Sequence, residues 1–128
     1  PPLSPFGLLE ELLWYDPWRL LMACIMLNQT SRRQVDPVLA QFLDTHPTPE
    51  SAAKADPTAL APMLKPLGLN KKRPVAVVRF SREYLAWRSG RALHWVGQYG
   101  VDAYDIFVLQ KWETVTPDDS VLRCYVDW

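Results

Sequence analysis

Cysteine, histidine and glycine are all scarce in this chain, and each scarcity closes off a chemistry. The two cysteines, Cys24 and Cys124, stand far apart with no CxxC spacing. That excludes a cysteine-bound zinc site or iron–sulfur cluster and suits reduced, buried thiols in a reducing compartment. Two histidines, His46 and His94, are too few for a His-rich metal site, so neither a metal nor a cofactor is expected. With five glycines in 128 residues there is no GxGxxG turn, no Walker-type loop and no Gly-x-Ser-x-Gly. The longest wholly apolar run is Leu20 to Leu27, well short of the ~20 residues a membrane span needs. No membrane association is expected. Pro1-Pro2-Leu3-Ser4-Pro5 also lacks the basic flank and apolar core of a signal peptide.

What the chain does hold is apolar mass and proline. Hydrophobic residues make up 48% and six are Trp, which excludes disorder and supports one domain spanning 1–128 with its own core. Proline follows a short polar residue at Ser4-Pro5, Asp16-Pro17, Thr48-Pro49, Asp56-Pro57 and Thr116-Pro117. In such pairs the polar side chain takes an orphan amide while proline, needing no donor, opens the helix. Repeated starts with almost no Val/Ile/Thr alternation predict an all-α fold of short helices. Those helices are expected at 5–14, 17–28, 32–45, 49–54, 57–65, 71–87 and 98–110, with a last one from Thr116-Pro117. The second is apolar on most sides and therefore central. Gly68 is expected as a left-handed cap.

Charge is balanced overall, 14 bases against 14 acids, but not locally. Residues 65–91 hold Lys65, Lys71, Lys72, Arg73, Arg79, Arg82, Arg88 and Arg91 against the single acid Glu83. Such a run is either a solvated helix face or a phosphate-facing stripe on an otherwise neutral protein. Two further segments bear on the choice. Leu93-His94-Trp95-Val96-Gly97-Gln98-Tyr99-Gly100 reads as a turn between two helices, a layout that aims backbone amides outward as an anion site. In Val115-Thr116-Pro117-Asp118-Asp119-Ser120, both aspartates fall in a first helical turn, where the dipole favours the ionised carboxylate. A carboxylate so placed stabilises positive charge developing on a sugar. Taken singly, each segment is equally ordinary helix chemistry.

Together they resemble the helix–hairpin–helix signature, with its following Asp, of the base-excision DNA glycosylase superfamily. Within it, the chain is similar to the mismatch-specific thymine/uracil branch. The likeness runs through Pro5-Phe6-Gly7-Leu8-Leu9, Asp16-Pro17-Trp18-Arg19-Leu20-Leu21, Leu27-Asn28-Gln29-Thr30-Ser31 and Leu64-Lys65-Pro66-Leu67-Gly68-Leu69. It continues in Phe80-Ser81-Arg82-Glu83-Tyr84-Leu85, Val96-Gly97-Gln98-Tyr99-Gly100, Tyr104-Asp105-Ile106-Phe107, Lys111-Trp112 and Asp127-Trp128, covering nearly the whole chain.

The resemblance implies an all-α helix–hairpin–helix glycosylase fold without an iron–sulfur cluster. It implies extrusion of the target nucleotide and hydrolysis of its glycosidic bond, with thymine or uracil opposite guanine as the base removed. Asp119 is then the catalytic carboxylate; Asp118, with Arg123 five residues on, is the competing register. Tyr99 stands where bifunctional relatives carry a Schiff-base lysine, which implies a monofunctional enzyme. Leu8, Leu9 and Glu10 would line the base pocket. Gln29 and Leu69 would be the wedges that fill the emptied stack. Val96, Gly97, Gln98 and Gly100, with Lys71, Lys72 and Arg73, would hold the DNA backbone. Two residues depart from the family's pattern: Glu10, where Gln is usual, and Trp95, in place of the first hairpin glycine. Those departures suggest an alternative, a module of the same fold that binds lesions or mismatches without base release. A helical protein-interaction module and a glycosylase for adenine or alkylated bases are more distant rivals. The partner implied is double-stranded DNA with G·T or G·U mismatches, bound by a monomer in the nucleus, and the chain reads as part of a longer one.

Overall fold

A computed structural model describes residues 9–13, 15–27, 30–69, 71–87, 100, 104–108, 122 and 126. The expected all-α class holds, with no strand among the described residues. The helices are α1 (Leu9–Leu13), α2 (Pro17–Leu27), α3 (Arg32–Thr45), α4 (Pro49–Ala53), α5 (Pro57–Leu64) and α6 (Lys72–Leu85). A 3₁₀ turn, Lys65–Leu67, follows α5, and a π-helical turn covers Tyr104–Val108.

The chain divides into two compact units. One comprises Pro1–Cys24 with Val96–Trp128, the other Ile25–Trp95. The first unit uses both ends of the chain and its boundary falls inside α2, so no linker composition marks the division. Its described core is a cluster of Leu20, Cys24, Ile106 and Leu122, with Leu13, Val108 and Val126 packed against it. Where a regular helix is expected over 98–110, Gly100 is helical and Tyr104–Val108 forms the wider π turn, which delivers Ile106 to this cluster.

The second unit is built by local rules that the sequence announces. Ser31 opens α3 with a capping box: its side chain accepts from the Gln34 amide, and the Gln34 side chain accepts from the Ser31 amide. Thr48 Oγ1 accepts from the Ser51 amide at 3.2 Å, and Pro49 opens α4. Asp56 Oδ1 accepts from the Thr58 amide at 3.0 Å, and Pro57 opens α5. The same device starts α2 at the edge of the first unit, where Asp16 Oδ1 accepts from the Arg19 amide. Each cap is worth about 1 kcal/mol.

Side chains at helical spacing then build the core: Val35, Val38, Leu39 and Phe42 from α3, and Ala76, Val77 and Phe80 from α6. Helices α4 and α5 pack on α6, and α3 packs on α5 and the 3₁₀ turn. Arg82 Nε donates to the Ala53 carbonyl at 2.8 Å and ties α6 to the end of α4.

One corner departs from this pattern. After the 3₁₀ turn, Gly68 has φ 74° and ψ −172°, and Leu69 has φ 53°. Gly68 has the positive φ expected of it, but its extended ψ makes it something other than a left-handed cap. That region is open essentially to glycine alone. A Cβ there would meet nothing within 4 Å, so the requirement is conformational and not one of space. Leu69 takes up the left-handed φ with a side chain that pays a steric penalty for it.

Candidate nucleic-acid interface

The Leu67–Leu69 corner leads directly into α6, and three cations follow it: Lys71, Lys72 and Arg73. No acid lies in the first turn of α6, and Lys71 at its start supplies no side-chain cap. The Leu69 carbonyl instead accepts from the amides of Lys72 (3.0 Å) and Arg73 (2.8 Å). Cations at the positive end of a helix dipole are unfavourable by a few tenths of a kcal/mol each. An anion from outside would relieve that repulsion. Lys71 and Lys72 are exposed, and Leu69 beside them is 37% exposed, a large apolar side chain facing solvent.

Arg73 does not join them. It is 2% exposed, so its expected contact with the DNA backbone is corrected here. Its Nη1 donates to the carbonyls of Ile25 (2.8 Å) and Met26 (3.0 Å). Its Nη2 donates to Leu67 (3.1 Å) and its Nε to Gly68 (3.3 Å). The physical reason lies in the acceptors. Ile25 and Met26 belong to the last turn of α2, whose carbonyls have no partner within the helix. A cation is favoured at that negative end, and a guanidinium alone offers five donors in a fixed fork. Burial lowers the Arg73 pKa from its ordinary value through desolvation.

The rest of the expected basic stripe is also divided. Arg79 pairs with Glu83 at 3.7 Å, and Arg82 is bound to Ala53. Lys65 is exposed, and Arg88 and Arg91 lie outside the described residues. The exposed lysines therefore concentrate at the start of α6 and do not run along its length.

Of the other expected site residues, Leu8, Gln29, Val96, Gly97, Gln98, Tyr99 and Asp119 lie outside the described residues, as do Asp118 and Trp95. Leu9 and Glu10 belong to α1, though their side chains are not described. Gly100 is helical and buried, whereas Lys71 and Lys72 are exposed, so its expected contact with the DNA backbone is corrected as well. The structure thus brings Leu69, Lys71 and Lys72 to one exposed corner and takes Arg73 beneath it. Sequence reasoning missed two buried charged residues, Arg73 and Glu11 of α1. For Arg73 a signal existed: with Val77 and Phe80 it shares the apolar face of α6 at spacings of four and seven.

Comparison with known proteins agrees with this architecture. Residues 22–124 match the family described as HhH-GPD superfamily base excision DNA repair protein. The chain is 40% identical over 130 residues to a methyl-CpG-binding domain protein 4-like protein of Arabidopsis thaliana, covering all of this chain and 29% of that protein. It is 32% identical over 76 residues to a thymine-DNA glycosylase of Aeropyrum pernix, covering 59% of this chain and 34% of that one. A thymine/uracil-DNA glycosylase of Pyrobaculum aerophilum is 29% identical over 76 residues, with 59% and 33% covered. The chain spans about a third or less of the length of these relatives. The likeness to the glycosylase domain of methyl-CpG-binding domain protein 4, which the motifs quoted above carry, is thereby shown. The chain belongs to the HhH-GPD superfamily of base excision DNA repair proteins, the DNA glycosylases of helix–hairpin–helix fold.

Proposed function

We propose that the chain is a monofunctional DNA glycosylase that removes thymine or uracil opposite guanine. The observation that carries this reading is the corner before α6. There an exposed Leu69 is held at positive φ beside two exposed lysines. A strained, exposed apolar residue next to phosphate-attracting cations suits a wedge that enters a base stack. The base specificity is supported by the relatives named thymine and thymine/uracil glycosylases. In this reading Lys71 and Lys72 hold the backbone while Leu69 and Gln29 occupy the space left by the extruded nucleotide. Leu8, Leu9, Glu10 and Tyr99 line the pocket, and Val96, Gly97 and Gln98 grip phosphate.

Chemistry follows at the sugar. The bond from C1′ to the pyrimidine breaks, its electron pair leaves with the base, and water forms the new bond to C1′. The ionised Asp119 carboxylate stabilises the positive charge on the deoxyribose and directs the water. Tyr99 offers no amine for an imine, so the product is an intact strand with an abasic site. Action as a monomer on nuclear duplex DNA belongs to the same reading.

The test is base release from G·T, G·U and A·U duplexes by wild type, Asp119→Asn and Asp118→Asn. Strand breaks should follow only after alkali, and Asp119→Asn should lose ~10²–10³ in rate or more. Binding without release would leave a mismatch-binding module and remove the enzyme. Loss confined to Asp118→Asn would move the catalytic role by one residue.

A further inference from the structure

The Arg73 side chain donates to four backbone carbonyls, and these come from two places in the sequence. Leu67 and Gly68 belong to the corner that presents Leu69; Ile25 and Met26 belong to the end of α2. The Met26 carbonyl is shared, since the Thr30 hydroxyl donates to it as well. The Thr30 amide also donates to the Leu27 carbonyl at 3.2 Å, which closes the chain back onto α2. One guanidinium therefore clamps the 67–68 backbone to the terminus of α2, immediately before the residue whose φ is strained. A left-handed leucine persists only where its surroundings over-determine it. Here the surroundings are Arg73 on the N-terminal side of Leu69 and the amides of Lys72 and Arg73 on its carbonyl.

We infer that Arg73 is a positioning residue for base extrusion: it fixes the Leu67–Leu69 corner on the end of α2 so that Leu69 is already set as a wedge before DNA arrives. This rests on the reading of Leu69 as a wedge given above. Inserting a side chain into a stack works against the stacking it disrupts, so a corner free to rotate would give way under that load. A wedge locked in advance meets no ordering cost on binding. Lysine cannot take the place of arginine in this clamp. Its three donors leave a single point, whereas the four carbonyls are reached by a planar fork.

The proposal predicts that Arg73 acts through Leu69, and a double-mutant cycle reads that directly. The variants are Arg73→Lys, Leu69→Ala and the pair, each checked for helical circular dichroism. The readouts are single-turnover base release from a G·U duplex, binding to the same duplex at low salt, and fluorescence of a 2-aminopurine beside the target. The fluorescence reports unstacking, which a general loss of stability in a folded variant does not move. Each single variant should lower the fluorescence change and the release rate by about tenfold with binding little altered. The pair should fall no more than about twofold below the worse single variant, because the two residues serve one act.

Multiplying losses in the pair, or an unchanged fluorescence response in Arg73→Lys, would overturn the proposal while leaving the wedge. An inert Leu69→Ala would overturn both. If wild type releases no base, the enzyme reading falls, and the fluorescence cycle still decides the role of Arg73. Should Arg73→Lys fail to fold, Gly68→Ala takes its place: its added Cβ has room but not the backbone freedom. Coupling of Gly68→Ala to Leu69→Ala would support a locked corner, and an unchanged response would overturn it.

Discussion

Three of the corners that lead into helices in the second unit, those before α4, α5 and α6, are built in two ways. Before α4 and α5, Thr48 (φ −130°) and Asp56 (φ −85°) lie in ordinary extended backbone and cap their own helices with adjacent side chains. Before α6, Gly68 and Leu69 both have positive φ and no side chain caps the helix. The corner is held instead by Arg73, whose reach to Ile25 spans 48 positions in sequence. The first two corners minimise local free energy. The third accepts backbone strain, an exposed leucine and like charges at a helix start, and recovers stability through a distant contact. That division is what a corner shaped for a partner shows: its local costs become useful only when phosphate and a base stack are present.

Breaking the distant contact should have the largest effect on stability. Arg73→Ala takes four charge-assisted hydrogen bonds from the carbonyls of Ile25, Met26, Leu67 and Gly68, so a loss of about 3 kcal/mol or more is expected in urea unfolding. Breaking a local cap should matter less and in one currency only. Thr48→Ala and Asp56→Ala should each lose about 1 kcal/mol of stability with base release unchanged. The exposed lysines should show the reverse. Lys71→Ala and Lys72→Ala should leave folding stability unchanged or raise it by a few tenths of a kcal/mol. Each should also make the slope of log K against log salt shallower by about 0.9 if it neutralises one phosphate.

The smallest effect lies outside the three corners. Tyr104 is raised above 10.0, first by burial and then by the charge of Asp105. The folded state therefore holds this proton more tightly than the unfolded chain does. Its contribution to stability is full below pH 10.0 and is lost as pH rises beyond that through the folded value. An ultraviolet titration should find this tyrosine ionising after free tyrosine.

Much of this was legible beforehand because it depends on neighbours in sequence. The caps at Asp16, Thr48 and Asp56 and the buried face of α3 are matters of spacings of four or less, and α3 itself runs over the expected 32–45. Arg73 was misplaced because a run of three bases reads as one feature. Helical geometry turns consecutive residues about 100° apart, which sent Lys72 to solvent and Arg73 to the core. What Arg73 holds was invisible in any local window, since its partners on α2 are nearly fifty residues away. The exposed part of the site was legible for the opposite reason: Leu69 and the lysines follow Gly68 without interruption save Asn70. The boundary between the two units cuts through α2, where composition does not change, so no local window marks it.

The central claim is that the strain at Leu69 serves DNA and not the fold. Leu69→Gly tests it most directly, with melting temperature and base release from a G·U duplex measured on the same preparation. Glycine accepts positive φ without the steric penalty, so the melting temperature should stay level or rise, while release slows by about tenfold as the wedge is lost. A variant that melts lower with release intact would show that Leu69 is part of the fold and no wedge.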